Sequence, residues 1–579
     1  MKSESQVEVD DELANLDLVE SIIQPHGRAL VDLYFRIIHP SFPIMNKKVF
    51  LEKYERTYRE FTPPILAAVY ILALNWWSYT PELVNLPKPD IQKLEKLVPQ
   101  MMSGVLNRPK LSTVQAGLLI LQRPDGDSWA LTGQLVAVAQ NLGLHLDCSN
   151  WKIPEWERSL RKRLAWGLFM QDKWGALIHG RPSLIYLDNW SVKPVEARDF
   201  PESSEDDDEE EGSSDIETGH LTFINMISLT EILTDILDTF FTLRATANLS
   251  NERQNAMTVT LEKAKPIQLR LKDWHARLPQ CLAIGETRAR KLSPTGMLFQ
   301  ATISNWHLNL PPGSLHLSYF AAEVTLHRAI IRFDIPSLDN HLRSITRGAA
   351  RMRFTSAIEM VNTLEPAHLQ CFWYFSSKVN LAIIATFGSL LWATSDNSEE
   401  AEFYKSQLAE YRWALRVSSK AAEFMKFTVG MLDASPVFLK NSASKSSKTT
   451  TPAVPPTQED VQEAHQEQQA FEINTSQPMH DSNSEIYVVS NEVSPSIGTS
   501  TENAFGYEMG TEAGVTNHID TRPNWADFAG NINFTPGDIQ DWSLDQLYNF
   551  ENFQVAEDIL ATRKFIEEYD ETGNNFAGF

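Results

Sequence analysis

His145, Asp147 and Cys148 are residue types that bind metals, and they lie within a few positions of one another. A tetrahedral zinc site needs a second pair of ligands at comparable spacing, and the chain offers none, so the three read as capping and packing residues at a helix end. Glu205 to Glu211 is an unbroken run of carboxylates, but a calcium loop needs spaced ligands and a turn glycine. The run reads as solvated charge. Trp76, Trp77, Trp129, Trp151, Trp156, Trp166 and Trp174 could line a small-molecule effector pocket between helices, although aromatic-rich bundles are more often simply packed. There is no G-x-G-x-x-G after a strand, no G-x-x-x-x-G-K-[ST], no H-E-x-x-H and no G-x-S-x-G. The reading is therefore of a non-enzyme with no catalytic, metal or DNA-binding residues and no cofactor.

Charge is unevenly placed. The net charge is -24 over 579 residues, and Asn441 to Phe579 alone holds 23 Asp and Glu against 5 Lys and Arg. The remainder, with 52 acids and 46 bases, is close to neutral. Neither part offers the broad basic face that phosphate binding by counterion release requires. Arg288 to Lys291 and Arg158 to Arg163 read as solvated helix faces, either of which could serve nuclear import. Toward the C-terminus Trp525, Phe528, Phe534, Trp542, Leu544, Leu547, Tyr548, Phe550 and Phe553 are interspersed with Asp527, Asp538, Asp541, Asp545 and Glu551. Carboxylates keep such side chains solvated and available to a partner's hydrophobic groove, where a short helix such as Asp541 to Phe553 can form on binding. This reads as an activation segment, against the plainer alternative of a soluble tail or one that docks on its own domain.

The elements around these residues are helical. Apolar residues recur at helical spacing over Ile65 to Trp77, Ile91 to Val105, Thr113 to Gln122, Leu221 to Ala247, Met257 to Leu278, Leu315 to Phe333, Arg347 to Leu364, Phe372 to Trp392 and Glu399 to Met431. No strand series or βαβ unit stands out, and the expected class is all-α. Composition divides the chain into a disordered N-terminal segment (1–27), a first helical part (28–200), an acidic disordered loop (201–218), a second helical part (219–437), a disordered polar linker (438–503) and the acidic-aromatic segment (504–579). The longest apolar stretch, Leu381 to Thr394, falls short of the roughly twenty residues a bilayer requires, and no membrane association is expected. Three scattered cysteines, Cys148, Cys281 and Cys371, suit a reducing compartment and read as core residues.

The densest pattern runs from Leu118 to Pro182. Pro154 suits a first helical turn, and Glu155 and Glu157 complement the positive end of the helix dipole. Trp156, Leu160, Leu164 and Leu168 form an apolar stripe, while Arg158, Arg161, Lys162 and Arg163 lie between them as a basic outer face. Gly180-Arg181-Pro182 stops this helix. A preceding helix, about Ser128 to Leu144, closes at Gly143, and the two read as an antiparallel hairpin.

Leu142-Gly143-Leu144-His145, Arg161-Lys162-Arg163 with Trp166, Gln171-Asp172, and Gly180-Arg181-Pro182, in this order, resemble the middle homology region of fungal zinc-cluster transcription factors. Leu33-Tyr34-Phe35, His39-Pro40-Ser41-Phe42-Pro43-Ile44 and Phe50-Leu51-Glu52-Lys53-Tyr54 resemble its start. The run Gln140 to Pro182 looks most like the co-activator branch that governs use of secondary nitrogen sources such as GABA. The resemblance covers roughly residues 28 to 195, with weaker helical similarity to about 435. It makes Leu142, Gly143, His145, Arg161, Arg163, Trp166, Asp172, Gly180, Arg181 and Pro182 structural motif residues, with the Arg181 guanidinium expected on the last carbonyls of its helix.

The family's DNA-binding element uses six cysteines within about thirty residues to hold two zinc ions. The three cysteines here, 133 and 90 residues apart, cannot assemble it. Zinc is expected only with a cluster encoded upstream, lost or omitted from this chain; otherwise the resemblance implies a nuclear regulator that reaches DNA indirectly. Its expected partners are DNA-binding transcription factors and the transcription machinery, with a homo- or hetero-dimer and a small-molecule effector in keeping with the class. The competing reading is a helical scaffold or inhibitor that occupies the partners of a full-length relative without activating.

Overall fold

A computed structural model describes residues 4–123, 129–200, 213–252, 255–283, 313–332, 340–420, 422, 424–430 and 432. All of them fall in one compact unit; the other, residues 440–535, lies outside the described residues. Every regular element among the described residues is helical, and sixteen are α-helices.

The first core is built on helices apolar on every side. α1 (Glu4–Ile23), α2 (Gly27–Leu33) and α3 (Lys47–Arg56) lead into α4 (Pro63–Ala73), which starts on two prolines suited to its first turn and is buried along its whole length. α5 (Ile91–Leu106) is amphipathic and begins on an Asp90 cap. α6 (Leu111–Leu121) packs against α4, with Thr113 to Leu121 all buried. α7 (Trp129–Asn141) and the 25-residue α8 (Glu155–His179) complete the expected hairpin. α8 spans about 37 Å at 1.5 Å per residue, and its stretch from Arg163 to Ile178 is entirely buried.

α9 (Ser213–Phe240) lies on α8, and α10 (Leu243–Asn251) and α11 (Ala256–Ala276) pack beside it. α12 (Gly313–Ile331) is the second all-round buried helix, flanked by α11, by α13 (Asn340–Asn362) and by α15 (Ser377–Ala393); a short α14 (Pro366–Leu369) and α16 (Ser398–Ser418) close this half. Buried side chains from Leu16 to Leu432 form one cluster. The halves are also stitched by hydrogen bonds: Trp76 Nε1 donates to the Gln370 carbonyl (2.6 Å), the Tyr374 hydroxyl to the Ser41 carbonyl (2.5 Å), and Trp174 Nε1 to Thr230 Oγ1 (2.9 Å).

Several expectations change. The N-terminal segment is helical from Glu4, with Leu16, Val19 and Ile23 buried, Asp17 bonded to Tyr58 (2.7 Å) and Arg59, and Glu20 accepting from Tyr70 (2.9 Å). Of the acidic loop, 201–212 lies outside the described residues, but 213–218 is the first turn and a half of α9. Trp156 is exposed rather than part of the apolar stripe. Of the three cysteines only Cys148 is buried; Cys371 is intermediate and Cys281 exposed. The polar linker, the activation-segment residues Trp525 to Phe553 and the Arg288–Lys291 cluster lie outside the described residues.

Candidate functional site

The motif residues assemble around the two ends of the hairpin. Gly143 adopts φ +70° and Gly180 φ +58°, the left-handed region that glycine enters at least cost. At each end the backbone closes the same way. Leu144 N donates to Ala139 O (2.8 Å) and Gly143 N to Gln140 O (3.0 Å); Arg181 N donates to Ala176 O (3.1 Å) and Gly180 N to Leu177 O (3.4 Å). These are Schellman closures, which satisfy the last carbonyls without a side chain. The Arg181 guanidinium is accordingly not used there: the side chain is exposed and makes no hydrogen bond among the described residues, and Pro182 is exposed beside it.

The chain after Gly180 is held by Asp172. Its carboxylate, fully buried, accepts from Leu184 N (2.8 Å), Ile185 N (3.1 Å) and Ser183 Oγ (2.6 Å). Lys173 lies alongside (Nζ to Oδ2 3.6 Å) and donates to Ser183 Oγ and the Ile185 carbonyl. Burial pulls the Lys173 ammonium below its ordinary range, with Asp172 and Asp238 acting the other way. Charge-assisted bonds in a dry site are the strong ones, so Asp172 and Lys173 together clamp residues 183–185 onto α8. Gln171, one residue earlier, carries a chain of amides: Phe375 N donates to Gln122 Oε1 (3.2 Å), Gln122 Nε2 to Gln171 Oε1 (3.1 Å), and Gln171 Nε2 to Thr132 Oγ1 (3.4 Å).

The basic residues of α8 do not form a solvated face. Arg158 donates to the Ile153 carbonyl (2.6 Å); Arg161 reaches the Leu142 carbonyl (3.0 Å) and Glu157 (3.0 Å) with its guanidinium 5.1 Å from the Trp151 ring; Lys162 pairs with Asp199 (2.6 Å). Arg163 is fully buried, 5.6 Å from the Phe200 ring. Each holds a loop that returns to the helix. Trp166 donates to the Lys193 carbonyl (2.8 Å), and the His145 carbonyl accepts from Ser191 N (3.0 Å). Asp147 accepts from Ser149 Oγ (2.5 Å) and Ser149 N (2.9 Å), which draw its carboxyl below the usual range, and the Cys148 thiol faces the Arg158 carbonyl (3.6 Å), with burial pushing its pKa up. His145, Asp147 and Cys148 thus tie their loop to itself, to Ser191 and to α8, and no group of three or more potential metal ligands occurs among the described residues. The cysteines are too dispersed and too differently placed to suit a two-zinc cluster.

The upstream motif is part of the same scaffold. His39 Nε2 donates to the Met45 carbonyl (3.0 Å), Gln115 Nε2 to the Ile44 carbonyl (2.8 Å), and Phe42 packs among Phe223, Phe372 and Tyr374. Of the seven tryptophans, Trp77, Trp166 and Trp174 are buried and their indole N–H groups bonded, so they pack rather than line an open pocket. The cleft lies elsewhere. About 620 Å³ in volume, it opens between the end of α9, the start of α10 and the middle of α11. Sequence reasoning missed it, and no local signal marks it, because its walls come from three helices.

The matches to known proteins agree with this scaffold. Residues 31–276 match the fungal specific transcription factor domain. It is 38% identical over 442 residues to the transcriptional activator protein DAL81 of Saccharomyces cerevisiae, covering 70% of this chain and 43% of that protein. It is 30% identical over 332 residues to the transcriptional regulatory protein C25B8.11 of Schizosaccharomyces pombe (56% and 44%), and 26% identical over 288 residues to the acetamidase regulatory protein of Aspergillus fumigatus (48% and 33%). The chain therefore spans less than half the length of these relatives. The domain and these relatives are transcriptional regulators rather than enzymes. No solved structure matches, and no helix among the described residues is long and apolar enough to cross a membrane.

Proposed function

We propose that this chain is a nuclear regulator of nutrient catabolism, nitrogen sources in particular, that works through protein partners. The helical region holds the regulatory architecture, and the acidic-aromatic residues 504–579 recruit the transcription machinery. The observation that carries the reading is the match over 442 residues to a protein named as a transcriptional activator, together with the acidic-aromatic composition of the tail. Similarity to an acetamidase regulatory protein supports nitrogen metabolism. Contact with DNA is made through DNA-binding partners, in a homo- or hetero-dimer.

The test is a reporter assay. Ala504 to Phe579 fused to a heterologous DNA-binding module should activate transcription, and replacing Trp542, Leu547 and Phe550 together with Ala should abolish activation at unchanged protein level. A silent wild-type fusion would favour the scaffold reading, in which the helical region occupies partners without recruiting the machinery. Activation that survives the triple change would overturn the role given to those aromatic and aliphatic side chains.

A further inference from the structure

The cleft between α9, α10 and α11 holds opposite charges on separate walls. On α9, Asp235 and Asp238 face it; on α10 and α11, Arg244 and Lys263 do so, with Ile267 as an apolar floor. Asp235 is already paired with Arg270. Arg244 and Lys263, both exposed, make no ion pair among the described residues. Arg244 also sits in the first turn of α10, where the helix macrodipole disfavours a cation, and that turn contains no acidic residue to offset it. The Thr242 side chain caps only Ala245 N (3.2 Å). This wall is therefore short of negative charge.

On the opposite wall Asp235 is taken up by Arg270, while Asp238 makes no ion pair among the described residues. Burial raises the Asp238 carboxyl above its ordinary value, Lys173 pulls it down and Asp172 pushes it up. Asp238 thus lines the cleft within electrostatic reach of the buried Asp172–Lys173 clamp. A volume of about 620 Å³ is within the roughly 300–1,000 Å³ of small-molecule sites.

We infer that this cleft binds a small zwitterion, its carboxylate on the Arg244 and Lys263 wall and its ammonium at Asp238. A simple anion would leave Asp238 without a cation in direct contact, and a simple amine would leave the α10 wall as it is. Only a molecule with both groups answers both walls. An ammonium at Asp238 would add charge within electrostatic reach of Lys173, so occupancy couples to the clamp that holds residues 183–185 on α8. This goes beyond the regulatory role proposed above and does not depend on transcriptional output.

Calorimetric titration of the whole chain at low salt tests it, with unbranched amino acids from glycine to 6-aminohexanoate beside the alkylamine and alkanoate of each length. One chain length should bind at least ten-fold tighter than its amine and its alkanoate. The double variant Arg244→Met, Lys263→Met should lose that binding while keeping its thermal transition, because both side chains are exposed. Asp238→Asn should abolish the preference for the amino acid over the alkanoate. Absence of binding by every amino acid would overturn the inference. So would an alkanoate that binds as tightly as the amino acid, which would make the cleft a simple anion site.

Discussion

Along α8, Arg158, Arg161 and Lys162 each end on an oxygen atom of the hairpin or of the loop that follows it, whereas on the cleft Arg244 and Lys263 reach no partner among the described residues. Both regions are rich in charge. In the hairpin the charges are consumed by folding, since each ends on a backbone carbonyl or a carboxylate of the fold. At the cleft they face solvent and are available. The difference separates residues that make the family's architecture from residues that can respond to something outside it.

The sharpest way to break this comparison is to remove the hairpin's clamp. Asp172→Ala strips three donors of their acceptor and removes the carboxylate that lies against the buried Lys173. A broken buried pair costs about 3–5 kcal/mol, and chemical denaturation should read a loss of that order. A loss below about 1 kcal/mol would mean that the 183–185 segment holds itself in place. Asp172→Asn, which keeps an acceptor oxygen, should fall between.

Two glycines come next. A Cβ at Gly219 would lie 2.5 Å from the backbone carbon of Pro40, and backbone cannot swing aside, so Gly219→Ala should cost about 1–3 kcal/mol and loosen α9 from the His39–Ile44 turn. Gly180→Ala should cost about 1–2 kcal/mol through its left-handed backbone alone. Thermal melts that placed the two at parity with wild type would contradict both geometries.

The helical scaffold was readable because a 3.6-residue period survives in any long buried helix; α4, α8 and α12 fall near their expected bounds, whereas α9 starts eight residues earlier than expected and ends seven earlier. α1 was not. Its Leu13, Leu16, Val19 and Ile23 do recur at helical spacing, but the acids around them suggested a solvated segment, and only the distant partners Tyr58, Arg59 and Tyr70 reveal what Asp17 and Glu20 do. The basic residues of α8 were misread for a related reason. Periodicity places them off the apolar stripe, but it cannot say that the loops at 142, 151–153 and 196–200 fold back to cover them. The motif residues were legible as a pattern, while the latch made by Asp172 was not, because two of its partners are backbone N–H groups that no residue type announces.

Acid sensitivity falls on two buried histidines of α9 and α12. Burial lowers the pKa of His220, stacked 4.1 Å from the Phe200 ring, to about 3 and that of His316 to about 4. Both folded-state values lie below the unfolded value near 6.5, so the unfolded chain takes up more protons in that interval. Stability is present above pH 6.5 and falls as the pH drops toward 3 for His220 and toward 4 for His316. From pH 7 to pH 5 each should cost about 1–2 kcal/mol. The variant His220→Gln should flatten that slope, and a slope identical to wild type would show that the ring does not carry it.

The smallest expected effect concerns Arg181, which sits inside the Gly180-Arg181-Pro182 motif yet is exposed and unbonded among the described residues. The carbonyls it would have capped already accept from Gly180 N and Arg181 N, bonds that survive truncation of the side chain. Arg181→Ala should therefore change stability by less than about 0.5 kcal/mol, as for surface substitutions in general. Arg161→Ala should cost measurably more, because it frees the Leu142 carbonyl and uncovers Trp151. If the two variants melted alike, motif membership rather than bonding would govern their cost, and the contrast between consumed and available charge would fail at its weakest point. If Arg181→Ala is silent in stability but impairs reporter output from the whole chain, Arg181 joins Arg244 and Lys263 among the cations that face outward for a partner.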